Sequence, residues 1–284
     1  MTGEDAWQAL SSAGAPPAEA SREVVVEAVD AAHDAGRLLL SLLGRLDGDV
    51  VRTKSSRRDL VTEADVGSER LVVERLRRVA PDHSIEAEEE VEDARTDGPR
   101  WFLDPLDGTV NFVHGLPLFA VSIALYVGAR PLFGVVHAPR LGETFVGAAG
   151  CGAWLLQPDA APVRLRVSGA ETLGEAILAT GFPYRRGEVE HSNLENFGRF
   201  FQDVRGLRRM GSAAVDLAYV AAGRLDGFWE LHLSPFDVAA GALLVREAGG
   251  EVTDAGGGED WLRGGQIAAS SPGLLPAIRA RIEC

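Results

Sequence analysis

Apolar positions recur at helical spacing from Ser21 to Leu43, with Val24, Val25, Ala28, Ala31, Ala32 and Leu38 to Leu40 on one face and Gly44 as a stop. A second helix is predicted from Val66 to Val79, ending at Ala80-Pro81. Between residues 118 and 156 the pattern turns to strands. Apolar runs at 119–127, 131–137 and 143–146, separated by short turns, predict an antiparallel meander. Beyond it helix and strand alternate. Strands are expected at Ala176–Thr180 and Leu225–Leu231, and helices at Asn193–Val204, Ala214–Ala222 and Val238–Ala248, the last closed by Gly249-Gly250. This is the pattern of an α/β chain, built as one large unit or as two intimate halves. Residues 1–20, with Ser11-Ser-Ala-Gly-Ala-Pro-Pro17, predict a weakly ordered extension ahead of a single unit over 21–284, whose halves span about 21–156 and about 157–284.

Acids collect at the ends of these elements. Trp101, Phe102 and Leu103 predict a short buried strand that stops at Pro105, which leaves Asp104 at its carboxyl end, where α/β sheets place ligands. Asp107 follows, Gly108 permits a tight turn, and Thr109 adds a hydroxyl. Asp59 precedes Leu60 and Val61, which predict a brief strand, and it caps nothing. Asp65 suits the first turn of a helix, with Thr62 or Asp65 itself as N-cap. In the run Glu86 to Glu90, Glu86 and Glu90 read as solvated surface, and the residues alone leave open which acid reaches Asp104. Asp237 is both a competent N-cap and a candidate ligand. Glu230, set among Phe228, Trp229 and Leu231, needs a partner. Gly211-Ser212-Ala213 opens a helix whose amides suit a polar ligand, Ser212 being a good N-cap. His114 and His137 fit hydrogen-bonded structural roles, with no second nitrogen or thiolate at ligand spacing.

A ligand set of oxygens alone selects a hard cation, Mg²⁺ first and Mn²⁺ or Ca²⁺ next. Several acids and a hydroxyl, without a nucleophilic Cys or a Ser–His pair, point to metal-assisted hydrolysis. Composition narrows the partners. A net charge of −14 argues against nucleic acid and anionic membranes, and it would repel a phosphate-bearing substrate unless bound cations reversed the local sign. Cys151 and Cys284 cannot make a disulfide framework, the start lacks a basic n-region, and no apolar run approaches the roughly 20 residues that span a bilayer. A cytoplasmic protein is expected.

Asp104-Pro-Leu-Asp-Gly-Thr-Val-Asn-Phe112, Asp59-Leu-Val-Thr-Glu-Ala-Asp65, Glu88-Glu89, and Asp237-Val-Ala-Ala-Gly241 with Glu247-Ala-Gly-Gly250 together resemble the inositol monophosphatase family. Gly211-Ser-Ala-Ala214 and Asp226-Gly-Phe-Trp-Glu230 fit it too, and the likeness covers about residues 21–275 in the right order. The resemblance implies a layered αβαβα sandwich, commonly a homodimer, that cleaves phosphate monoesters with two or three Mg²⁺ ions (Mn²⁺ as a substitute) and is often inhibited by Li⁺. It implies Glu88, Asp104, the Leu106 carbonyl, Asp107 and Asp237 as metal ligands. Asp59 and Thr109 become the pair that activates a metal-bound water, assisted by Glu88. Asp107, Gly108, Thr109 and Asp237 join Gly211, Ser212, Ala213 and Glu230 as substrate contacts.

Two positions depart from the family: Ala87 stands where Gly is usual, which predicts loop strain, and Phe236 replaces Trp, which gives up an indole N–H. Related enzymes serve inositol phosphates, histidinol phosphate, fructose 1,6-bisphosphate or 3′-phosphoadenosine nucleotides. Glu230 beside Asp226-Gly-Phe-Trp favours a polyhydroxylated ring, hence inositol 1-phosphate, while an acid there could equally meet the amine of histidinol phosphate. A non-catalytic divalent-cation binding protein would need the ligands but neither Asp59 nor Thr109. A glycosidase with an acid pair would need no metal.

Overall fold

A computed structural model describes residues 1–45, 52–53, 60–95, 97–184 and 187–284, with 52–53 and 60–61 by their backbone alone. The chain opens with α1 (Gly3–Ala13) and α2 (Arg22–Leu42), followed by an antiparallel pair of short strands, β1 (Arg52–Thr53) and β2 (Leu60–Val61), and by α3 (Glu63–Val79). Where the sequence predicts a weakly ordered extension, the first residues instead make α1. Thr2 and Asp5 form a capping box at its start, Gly3 N donates to Asp30 at 2.7 Å, and Ala6 and Leu10 are buried against α2. The apolar signal is short, but it is enough to dock a helix whose far side stays polar.

Next come β3 (Ser84–Ala87), β4 (Pro99–Asp107), the single turn α4 (Thr109–Val113), β5 (Ala120–Val127), β6 (Arg130–Ala138), β7 (Glu143–Ala148), β8 (Gly152–Leu156) and β9 (Val163–Arg164). These strands form one sheet in the order β3-β4-β5-β6-β7-β8-β9, antiparallel except for the β3/β4 pair, so the predicted meander is present. The strand expected to end at Pro105 runs on to Asp107. A register shift between Asp104 and Asp107 absorbs the proline and bends the backbone there.

The remaining elements are β10 (Ile177–Thr180), α5 (Leu194–Phe201), β11 (Gly206–Arg208), α6 (Ala213–Ala221), β12 (Gly227–Leu231), α7 (Pro235–Glu247), β13 (Glu251–Thr253), β14 (Gln266–Ser270) and α8 (Leu275–Arg279). Their strands make a second sheet, β11-β10-β12-β14-β13. Helices α1 to α3 cover one face of the first sheet, α6 and α7 lie between the two sheets, and α5 and α8 cover the outer face of the second. The result is the layered αβαβα sandwich that the resemblance implies.

Helix α7 is buried without interruption from Val238 to Val245, as a helix held between two sheets must be. It meets α6 closely enough that a Cβ on Gly241 would stand 2.5 Å from Leu217 Cβ. Among the described residues no helix is long and apolar enough to cross a membrane. Glu86, expected on a solvated surface, is buried and clamped between Arg100 (2.7 Å) and Arg263 (2.6 Å).

Candidate active site

Four carboxylates from three segments gather where β4 ends, the loop after β3 passes, and α7 begins. Asp104 and Asp107 come from the bent end of β4, Glu88 from the residue after β3, and Asp237 from the first turn of α7. Burial, then the neighbouring charges of Glu88, Asp107 and Asp237, hold Asp104 well above the usual carboxylate range. Asp237 is raised by burial and then by Glu88 and Asp107. Burial also pushes Asp107 up to about 6, against hydrogen bonds from Ser212 and Ala214. The common cause is crowding of like charge away from water, and a bound cation would reverse its sign.

Asp104, Asp107 and Asp237 are each held by donors. Leu106 N donates to Asp104 Oδ1 at 2.9 Å, and Ser234 N to Asp237 Oδ2 at 2.6 Å. Asp107 Oδ2 accepts from Ser212 Oγ at 2.6 Å and from Ala214 N at 2.7 Å, so it joins the first sheet to the start of α6. Asp237 is not the N-cap of α7. Ser234 is, and Asp237 closes the capping box from the third helical position. The second oxygen of Asp104 and that of Asp237 have no hydrogen-bond donor among the described residues.

These residues fit a hard divalent ion by donor chemistry: buried carboxylate oxygens together with the Leu106 carbonyl. Among the described residues no three His, Cys, Asp or Glu side chains converge on one point. Mg²⁺ does not require that, because it keeps several waters and takes one or two carboxylates plus substrate oxygens.

The hydroxyl of Thr109 lies beside the cluster and has two acceptors for its one proton: Asp65 Oδ1 at 2.9 Å and the Leu106 carbonyl at 3.1 Å. Asp65 also caps α3, since its Oδ2 accepts from Thr62 N at 2.8 Å and Thr62 Oγ1 at 2.6 Å. Asp59, the acid paired with Thr109 in the sequence reading, lies outside the described residues. Thr62 is the N-cap of α3, and Asp65 does two jobs at once.

Three further residues were missed in the sequence, and each positions a member of the site. Glu69 accepts from the amides of Glu89, Glu90 and Val91 at 2.8, 2.8 and 3.0 Å, which fixes the loop carrying Glu88. Ser68 Oγ donates to the Pro105 carbonyl at 2.8 Å. Asn111 Nδ2 donates to the carbonyls of Leu118 and Met210, tying the Gly108 turn to the approach of α6. The available signal was spacing: Asp65, Ser68 and Glu69 fall at i, i+3 and i+4 on the buried face of one helix. Ala87 lies in β3 and is not among the residues with positive φ, so the methyl group strains nothing in the backbone.

The cluster opens into a cleft of about 440 Å³. Its lining includes Glu88, Asp107 and Asp237 together with Gly211, Ser212, Ala213 and Glu230. Gly211 has φ +86° and Gly108 φ +94°, both in the left-handed region that favours glycine. Glu230 is 9% exposed, and its carboxyl packs on Gly181, where a Cβ would come within 2.1 Å of Oε1. Burial pushes Glu230 up to about 8, with Arg209 pulling down and Asp107 pushing up. His137 is bonded to Thr144 at 3.0 Å, as expected, whereas His114, expected in a hydrogen-bonded role, is exposed.

The inositol monophosphatase family profile matches residues 20–283. A Nus factor SuhB of Pasteurella multocida is 40% identical over 257 residues, which is 90% of this chain and 94% of that one. An inositol-1-monophosphatase of Mesorhizobium japonicum is 42% identical over 260 residues, again 90% of this chain and 94% of the relative. Among solved structures, the extragenic suppressor protein suhB from Bartonella henselae superimposes with a TM-score of 0.81 at 39% identity, covering 91% of this chain and 97% of that one.

Proposed function

Because the chain belongs to the inositol monophosphatase family, we propose that it hydrolyses inositol 1-phosphate to inositol and phosphate with Mg²⁺. Glu88, Asp104, the Leu106 carbonyl, Asp107 and Asp237 would hold the ions. When bound, Mg²⁺ would neutralise the phosphoryl oxygens and make water a competent nucleophile near neutral pH. The chain's own residues do the rest. Thr109 accepts the proton of the attacking water and passes its own to Asp65, which Thr62 holds in orientation. Gly211, Ser212 and Ala213 line the side of the cleft where the alcohol would rest.

The observation that carries this reading is the Thr109–Asp65 hydrogen bond at 2.9 Å beside the four acids. It offers the attacking water a route for its proton, which cation binding alone does not call for. Relatives of near-equal similarity are named as a Nus factor and as an enzyme, so membership alone does not choose a role; the hydroxyl–acid pair supports the enzymatic reading. Glu230 favours a polyol over histidinol phosphate: a buried carboxyl pushed up to about 8 is neutral at pH 7 and meets a hydroxyl better than an ammonium.

A phosphate-release screen of the purified protein against inositol 1-phosphate, histidinol phosphate, fructose 1,6-bisphosphate and 3′-phosphoadenosine 5′-phosphate tests it, with Mg²⁺ and with excess EDTA. Release from inositol 1-phosphate should lead and should vanish with EDTA. Mg²⁺ should also raise the melting temperature, by the equivalent of about 2.7 kcal/mol at 100 times Kd. Asp104→Asn/Asp237→Asn should abolish that rise. Release undiminished in EDTA would end the metal mechanism.

A further inference from the structure

Asp216 has a place in the cleft that the reading above leaves unused. It sits on α6, is 1% exposed, and lines the same cleft as Glu230. Its Oδ1 is buried with no hydrogen-bond partner among the described residues. The role of a first-turn acid is already filled, because Ser212 caps α6 through Val215 N and Asp107 takes Ala214 N. Among the described residues Asp216 Oδ1 therefore has no donor, and native structures leave a buried carboxyl oxygen in that condition for a reason.

We infer that Asp216 is a specificity-determining residue that receives a hydroxyl of a polyol phosphate next to the hydroxyl held by Glu230, so that the two carboxyls read a vicinal diol. The inference rests on the proposed hydrolysis and deepens it from one hydroxyl contact to a paired one. The two side chains come from different elements, α6 and β12, and face one cleft. Glu230 is fixed against Gly181, and its nearness disfavours ionisation of Asp216. Burial raises both carboxyls, Asp216 well above its usual range. A neutral carboxyl donates one hydrogen bond and accepts another, which is the complement of a hydroxyl. Two such carboxyls lining one cleft match two hydroxyls on adjacent carbons. An ammonium group, with three donors and no acceptor, would leave a carboxyl proton unmatched. Arg209, exposed at the cleft, is a cation whose charge reaches both acids.

The test replaces Asp216 with Leu or Ala, which removes the hydrogen bond, and with Asn, which keeps a donor and an acceptor. myo-Inositol is titrated calorimetrically into the Mg²⁺-loaded protein, and kcat and KM are measured for inositol 1-phosphate and for 4-nitrophenyl phosphate, whose alcohol offers no diol. Asp216→Leu and Asp216→Ala should weaken myo-inositol binding and raise KM for inositol 1-phosphate about tenfold, as expected for one lost hydrogen bond. Turnover of 4-nitrophenyl phosphate should stay within about twofold, and Asp216→Asn should restore most of the binding. Asp216→Leu should not melt lower than wild type, because it removes a buried polar atom without a partner. Equal losses on both esters, or unchanged myo-inositol binding in the Leu and Ala variants, would overturn the inference, as would a wild-type protein that binds no myo-inositol. If the wild type binds myo-inositol in an Asp216-dependent way but releases phosphate from no ester, the hydrolytic reading fails and the diol subsite stands.

Discussion

Glu69 takes the amide of Glu89 at 2.8 Å, and with it the amides of Glu90 and Val91, so one buried carboxylate of α3 holds the chain just beyond Glu88. If Glu88 holds a cation, as proposed, Glu69 is the outer group that sets where Glu88 can stand. Three backbone donors on one acid also explain how a carboxylate survives there, since burial pushes Glu69 up and the three amides pull it back.

Replacing Glu69 with Gln keeps the shape but leaves a side chain with a single acceptor oxygen for three amides. The expected result is a folded protein whose Mg²⁺ requirement for phosphate release rises about 10- to 100-fold, the usual cost of losing a group that orients a metal ligand. A Mg²⁺ titration of initial rates checks it. An unchanged half-saturating Mg²⁺ concentration would mean that the loop holds Glu88 without Glu69.

The acids near β4 were legible because several unlike segments each offered a carboxylate at an element end, and the fold brings them together. Asp65 was not, because Thr62 and Asp65 make a capping box that explains the acid locally. Only tertiary structure brings Thr109, 44 residues on, to its other oxygen. The meander was legible from alternating runs, whereas its depth in the sandwich was not. That depth depends on α7, whose small residues Ala239, Ala240, Gly241 and Ala242 let sheets close on both sides. Helix α1 was hidden by its Ser, Gly and Ala content, which predicts poor order until a partner surface is present. The proline in β4 misled for a related reason. A bulge can take up a missing donor that a regular ladder could not.

Acid should destabilise the fold through His137. Burial, followed by the charge of His33, pushes its pKa down to about 3, with Arg37 adding in the same sense and the Glu143 backbone opposing. Thr144 Oγ1 stands 3.0 Å from both His137 Nδ1 and His33 Nε2, a geometry suited to neutral rings. The unfolded chain binds a proton near pH 6.5 and the folded one does not until about pH 3, so the unfolded state carries more protons between those values. Stability is then complete above pH 6.5 and falls as the pH drops toward 3, by about 1.4 kcal/mol per pH unit for this residue. Buried acids with raised pKa values act in the opposite sense, so the measurement is a difference. Urea unfolding of wild type and His137→Gln at pH 7.5 and pH 5.0 should show wild type losing more on acidification. Equal losses would show that His137 does not titrate as a buried neutral ring.

The proton path from Thr109 to Asp65 makes a prediction that neither residue makes alone. Thr109→Val is nearly isosteric and removes the hydroxyl that reaches Asp65 at 2.9 Å. Its kcat should fall about 10²–10⁴-fold, the range for loss of general-base help, with KM changed far less. Asp65→Asn should fall by a similar factor, because the amide no longer accepts a proton at neutral pH. It also weakens a cap, since Asp65 Oδ2 holds Thr62 N at 2.8 Å, so its melting temperature should drop by the equivalent of about 1 kcal/mol. That separates the two jobs of one side chain: Thr109→Val leaves the cap whole, and Asp65→Asn disturbs both. Combining the substitutions should cost little more in kcat than either alone, because residues that act as a unit are not additive. Stabilisation by Mg²⁺ should survive in all three variants, as neither residue is assigned to hold the ion. The deciding measurement is the double-mutant cycle in kcat at saturating Mg²⁺. Losses that multiply fully would show two independent side chains, and the transfer from Thr109 to Asp65 would have to be abandoned.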